Sequence, residues 1–143
     1  MCLIIDSNIV HKVFLSPDPD YQPLKKALDD RGATLVYGGE LRREYLKMAK
    51  FIKRLRLLDQ SGAAKIFPDA LIDSHTGAVV AAGGYKSNDP HVLALAIVTG
   101  ARLLCSDDDA LSDDFKNKKL IDNPRGNVYR RAAHAHLISK HCR

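Results

Sequence analysis

Cysteine is scarce in this chain, and no two cysteines stand near each other. Cys2, Cys105 and Cys142 form no C-x-x-C pair, and no set of cysteines and histidines has the spacing of a zinc ribbon. Their odd number and wide separation predict reduced thiols and a cytoplasmic setting. Long apolar runs are missing as well: no stretch of about 18 apolar residues is present, so no membrane-spanning helix is expected. The start, Met1-Cys2-Leu3-Ile4-Ile5-Asp6, lacks a basic region followed by a long apolar stretch, so no signal peptide is expected either. Repeats, low-complexity tracts and linker-like composition are absent, and residues 1–143 are expected to form a single domain.

What the chain has is enough apolar material for a core, 45% of its residues, and an uneven distribution of charge. Residues 42–56 hold seven bases against Glu44 alone, and residues 116–143 hold eight against Asp122 alone. The remainder is acidic although the whole chain carries +5. Two basic stretches beside an acidic remainder suit a phosphate-rich polymer held near a cation. Solvated helix faces would give the same composition.

Strand-like and helix-like segments alternate. Leu3–Asp6 is a short apolar run that ends in a turn or helix cap at Asp6-Ser7-Asn8. Pro17, Pro19 and Pro23 interrupt the next stretch, and a helix is expected over Tyr21–Arg31. Thr34–Tyr37 reads as a second strand. The stripe Leu41, Tyr45, Met48, Ile52 and Leu55 predicts one long helix from Glu40 to Leu58. Beyond it come a third strand at Lys65–Phe67, a helix over Ala70–Ala82 and a wholly apolar helix from Asp89-Pro90 to Thr99. A fourth strand at Arg102–Cys105, a short helix over Asp108–Phe115 and a last extended segment around Asn127–Tyr129 complete the order. Such alternation implies an α/β fold with a parallel sheet covered on both faces.

Sites in these sheets form beyond the carboxyl ends of strands. Asp6 ends the first strand, Asp107, Asp108 and Asp109 come after the fourth, and Asp89 opens the helix before it. Capping is the bland account of each, and for Asp89 taken singly it weighs equally. Glu40 and Glu44 share a helix; at about 100° per residue Glu44 lies roughly 60° from the stripe centre and Glu40 roughly 100°. Glu44 therefore borders the core, while Glu40 suits the first helical turn. Converging carboxylates repel one another unless a cation joins them, and Mg²⁺ or Mn²⁺ prefers such oxygen ligands. His134-Ala135-His136 is the nearest approach to a histidine cluster, and it reads as part of a basic tail that meets phosphate or solvent.

In order and spacing these segments resemble the PIN domain family of metal-dependent ribonucleases. The resemblance rests on Ile4-Ile5-Asp6-Ser7-Asn8, on Leu41-Arg42-Arg43-Glu44-Tyr45, on Asp89-Pro90-His91-Val92-Leu93-Ala94, and on Ser106-Asp107-Asp108-Asp109-Ala110-Leu111. It runs to about Phe115 and leaves a basic C-terminal extension from about residue 116. It implies a three-layer α/β/α sandwich and Mg²⁺- or Mn²⁺-dependent cleavage of single-stranded RNA. It also implies metal acids at Asp6, Glu44, Asp89 and Asp108, with Asp107 the alternate to Asp108. Ser106 would hydrogen-bond in the site, and Asn8 would orient Asp6 or a water. Lys47, Lys50, Arg54, Arg130 and Arg131 are candidate phosphate contacts. Many small members are VapC-like toxins paired with an antitoxin, and the resemblance suggests that partner and a homodimer. A non-catalytic RNA- or protein-binding domain on the same fold is the alternative. A phospho-acceptor domain would instead use an aspartate after the third strand, here Asp69.

Overall fold

The computed structural model describes residues 1–16 and 18–142. Pro17, one of the expected helix breakers, and Arg143, one of the C-terminal bases, lie outside them. Five strands, β1 (Leu3–Ile5), β2 (Leu35–Tyr37), β3 (Ala64–Ile66), β4 (Leu103–Cys105) and β5 (Asn127–Tyr129), form one sheet in the order β3-β2-β1-β4-β5. Every pairing is parallel. Helices α1 (Gln22–Asp29), α2 (Gly39–Leu46), α3 (Ala49–Ser61), α4 (Asp69–Ala82), α5 (Pro90–Thr99), α6 (Asp109–Lys116) and α7 (His136–His141) complete the α/β/α sandwich. All residues of β1 and β4 are buried, so these strands carry apolar side chains toward both faces instead of alternating.

The chain winds outward from β1 to β2 and β3, then crosses back to place β4 on the other side of β1. Helices that start beyond β1 and β4 therefore diverge, and the crevice between them is where doubly wound sheets hold ligands. Ile5 pairs with Cys105, so Asp6 and Ser106 leave the sheet side by side at that crevice.

Two expectations are corrected. The single helix Glu40–Leu58 is two helices, broken at Lys47-Met48, where Met48 leaves helical geometry at φ −100°, ψ 83°. The buried set is Leu41 and Tyr45, then Phe51, Leu55 and Leu58. Tyr45 and Phe51 would point about 120° apart on a straight helix. The break lets Phe51 meet the Tyr45 ring edge-on at 5.1 Å and stack on Phe14 at 5.2 Å. Cys2 and Cys142 are also not free thiols: they form a disulfide across 140 residues of sequence, leaving only Cys105 free among the described residues.

The segment after residue 116 is built into this frame. β5 is the edge strand beside β4, α7 lies against β4, and the disulfide ties its end to β1. Between them His134 accepts the Arg130 amide on Nδ1, at 3.0 Å.

Candidate metal centre

Four elements converge at the crevice: the end of β1, the starts of α5 and α6, and α2. Asp6 comes after β1 at the N-cap of the 3-10 turn Ser7–Ile9, but its carboxylate makes no cap bond. It accepts instead from Ser106 Oγ at 2.9 Å, and Ser106 Oγ also takes the Asp108 amide at 3.1 Å. Asp108 caps α6 through Leu111 N, at 3.0 Å. Asp89 occupies the N-cap position of α5, and its side chain makes no cap bond. The capping account of Asp89 thus fails on geometry, while for Asp108 it holds for one oxygen.

Glu44 reaches the crevice because α2 is fastened at two points. The Tyr45 hydroxyl donates to the Ile5 carbonyl, which sets the neighbouring Glu44 beside the end of β1. At the start of α2, Gly39 takes φ +60° and a Cβ at Gly38 would fall 2.6 Å from the Phe67 carbonyl oxygen, so this turn needs glycine. Asp69 holds the same turn, accepting from Gly39 N at 2.9 Å and from Arg42 at 3.0 Å. That engagement, and a helix acid at the crevice, leave the phospho-acceptor reading without its acceptor. Glu40 turns outward to Arg43 at 3.3 Å, as its helix angle predicts.

The electrostatics are those of an acid cluster short of positive charge. Burial, joined by the charges of Asp89, Glu44 and Asp108, pushes Asp6 up to about 6, against the Ser106 hydrogen bond that pulls it down. Burial also raises Asp89, helped by Glu44 and Asp108. Glu44 is held low, first by its hydrogen bond to His91. Burial alone would lower His91, but the Glu44 bond and the charges of Glu44, Asp89 and Glu40 outweigh it and raise the imidazole. An oxygen-rich donor set with excess negative charge fits a divalent cation. Glu44, Asp89 and His91 each offer a ligand atom, all within 4.8 Å of one another.

Other residues singled out from sequence find different surroundings. Asp107 is half exposed and faces Lys12 at 3.8 Å, while Asp108 is the residue of the run whose charge bears on Asp6 and Asp89. Asn8 is exposed, and the hydroxyl that braces an acid is its neighbour's: Ser7 Oγ donates to Glu44 Oε1 at 3.2 Å. Lys47, Lys50 and Arg131 are exposed. Arg54 is engaged by Asp29 at 2.6 Å and lies over the Phe14 ring, which makes it part of the packing. Arg130 is shared between Asp109 at 2.8 Å and Ser112 at 3.0 Å.

Two contributors are not among the residues that the sequence singles out. His91 carries a signal, a polar ring inside an otherwise apolar helix, which must find a polar partner when buried. Asp114 carries none that distinguishes it from the other helix acids. It is 2% exposed and accepts Lys86 N and Ser87 N, both at 2.8 Å. Ser87 Oγ in turn accepts the Asp89 amide at 3.3 Å. Asp114 thus pins the loop that delivers Asp89. Asp114→Asn puts an NH₂ where one loop amide needs an acceptor. It is expected to weaken Mn²⁺ binding about tenfold, the scale seen for outer supports of metal sites, with circular dichroism unchanged. Calorimetric titration measures this, and an unaltered affinity would detach Asp114 from the site.

A parallel sheet with acids gathered at its crossover defines an α/β domain with a cluster able to hold a metal ion. The PIN domain model matches residues 3–116, and the chain belongs to the PIN domain family, whose members are generally metal-dependent nucleases. No curated protein and no solved structure matches the chain. Among the described residues no helix is long and apolar enough to cross a membrane.

Proposed function

We propose that this chain is a divalent-metal-dependent endoribonuclease acting on single-stranded RNA, with Asp6, Glu44, Asp89 and Asp108 as its metal acids. The observation that carries the reading is the pairing of Asp6, raised to about 6, with an uncapped Asp89 at the same crevice. Carboxylates held this way destabilise an empty site and gain from a bound cation. Such a cation, Mg²⁺ or Mn²⁺, would supply positive charge against phosphoryl oxygens and acidify a water.

The chain's own residues then have separable tasks. Ser106 and Ser7 hold one oxygen each of Asp6 and Glu44, which fixes where the remaining lone pairs point. Asp108, anchored by the Leu111 amide, keeps one oxygen for the site. Lys47, at the break after α2, and Lys50, in the first turn of α3, are exposed bases close in sequence to Glu44 and suit the RNA backbone. Binding through them would weaken as salt rises. A toxin role with an antitoxin partner and a homodimer belong to the same proposal and rest on the family resemblance; one domain over residues 1–143 rests on length and on the absence of a linker, and the cytoplasmic setting read from unpaired cysteines loses that support to the Cys2–Cys142 disulfide.

The test is cleavage of an end-labelled single-stranded RNA with Mg²⁺ or Mn²⁺, with EDTA, and with Asp89→Asn. Cutting should need the metal and fall about a hundredfold or more in the variant. Cutting that survives both EDTA and Asp89→Asn would sink the reading. RNA binding without cutting under any metal would favour the non-catalytic binding domain.

A further inference from the structure

We propose that His91 is a direct metal ligand beside Glu44 and Asp89, so that the centre is a mixed nitrogen–oxygen site that prefers Mn²⁺ to Mg²⁺. The inference rests on the proposed metal site and adds to it a residue and a selectivity.

His91 lies one residue into α5, and the five residues after it, Val92 to Ala96, are all buried and apolar. The imidazole itself is 6% exposed. A ring in that position is not there for packing volume alone, because its nitrogens need polar partners. It turns toward the crevice, with Nε2 3.2 Å from Glu44 Oε1. Two ligands at right angles on a six-coordinate ion, with bonds of about 2.1 Å, stand about 3.0 Å apart. The observed 3.2 Å is close to that separation.

An ion pair between His91 and Glu44 would account for the same distance, but its hydrogen bond goes to Glu44 and gives the Asp89 carboxylate none. Asp89 has its backbone fastened to Ser87 Oγ, while its carboxylate takes no cap bond from the helix it precedes. It nevertheless comes within 4.8 Å of both other donors. Three donors from two elements, meeting without a partner for the third, describe a ligand set. Ser7 Oγ braces the Glu44 oxygen from the other side, at 3.2 Å.

The nitrogen decides the ion. Mg²⁺ is hard and keeps to oxygen ligands and water, whereas imidazole suits first-row transition ions. A centre made of carboxylates alone would discriminate less between Mg²⁺ and Mn²⁺.

The experiment uses tag-free protein loaded with one equivalent of Mn²⁺. Electron spin-echo modulation reads nitrogen bound to the ion, and calorimetric competition reads the ratio of Mn²⁺ to Mg²⁺ affinity. The wild type should show ¹⁴N modulation, and His91→Gln should lose it. The variant should still bind Mn²⁺, with its preference over Mg²⁺ reduced about tenfold or more. Mn²⁺ bound in an Asp89-dependent way with no ¹⁴N modulation in the wild type overturns the role of His91 and leaves the acid site standing. Failure of the wild type to bind Mn²⁺ at all overturns both. The wild-type spectrum decides even if His91→Gln does not fold.

Discussion

Asp6→Asn should abolish metal-dependent cleavage and at the same time make the metal-free protein harder to unfold. The loss of activity is expected to be about a hundred- to a thousandfold, the scale for removing one group that stabilises developing charge. The gain in stability derives from the position of Asp6. An ordinary aspartate titrates near 3.8 and this one near 6, so its ionised form at neutral pH costs the fold about 3 kcal/mol. The folded state therefore holds the proton more tightly than the unfolded chain. Stability falls as pH rises from about 4 to about 6, and levels beyond. Asp89, also raised, adds to that fall, and His91 extends it above 6.5 because its charge is lost as pH rises through its raised value. Glu44 acts oppositely, and only at the acid end.

Asparagine removes the charge and keeps an oxygen that can accept from Ser106. Without metal at pH 7 the variant should melt several degrees above the wild type, at about 2–4 °C per kcal/mol. The slope between pH 4 and 6 should shrink with it. Thermal unfolding in EDTA across that range is the measurement. A variant that melts lower at pH 7 and is inactive would mean that Asp6 holds the fold together and that its loss says nothing about chemistry.

Reducing the Cys2–Cys142 bond should cost the protein about 5 kcal/mol. That figure comes from loop closure alone: the bond spans 140 residues, and closing a loop of that length lowers the entropy of the unfolded chain. The native fold is not expected to open. β5 keeps its ladder to β4, and Leu137 stays buried. Urea unfolding with and without a dithiol reductant measures the difference, with Cys142→Ser as a control that no longer responds. Two alkylatable thiols in protein purified without reductant would show that the bond does not form.

How far the fold and the site are legible in the sequence depends on the trace each feature leaves there. The strand-end acids are legible because a short apolar run ending in an acid is a local pattern, and alternation alone implies the parallel sheet. Glu44 is legible by angle, since its helix is regular through Tyr45. The break at Met48 is not, because the apolar spacing continues across it; only the demand of Phe51 for the Tyr45 and Phe14 rings reveals it. Cys2 and Cys142 look like two isolated thiols because proximity of the ends is a property of the assembled fold, in which α7 packs on β4. His91 leaves a trace, a polar ring in an apolar helix, but the residues around it read as core and the trace does not say which partner the ring meets. Arg54 looks like an RNA contact because charge alone does not tell that Asp29 and Phe14 hold it.

One helix, α6, gauges the width of the crevice. Its first turn is tied to Asp108 and its sixth residue, Asp114, grips the amides just ahead of Asp89. The span between these two acids is thus measured out along a rigid rod and does not depend on the part of the α4–α5 loop that precedes Lys86. A change of length at Gly83-Gly84, upstream of that grip and with open space or only Leu120 beside it, is expected to leave both acids in place.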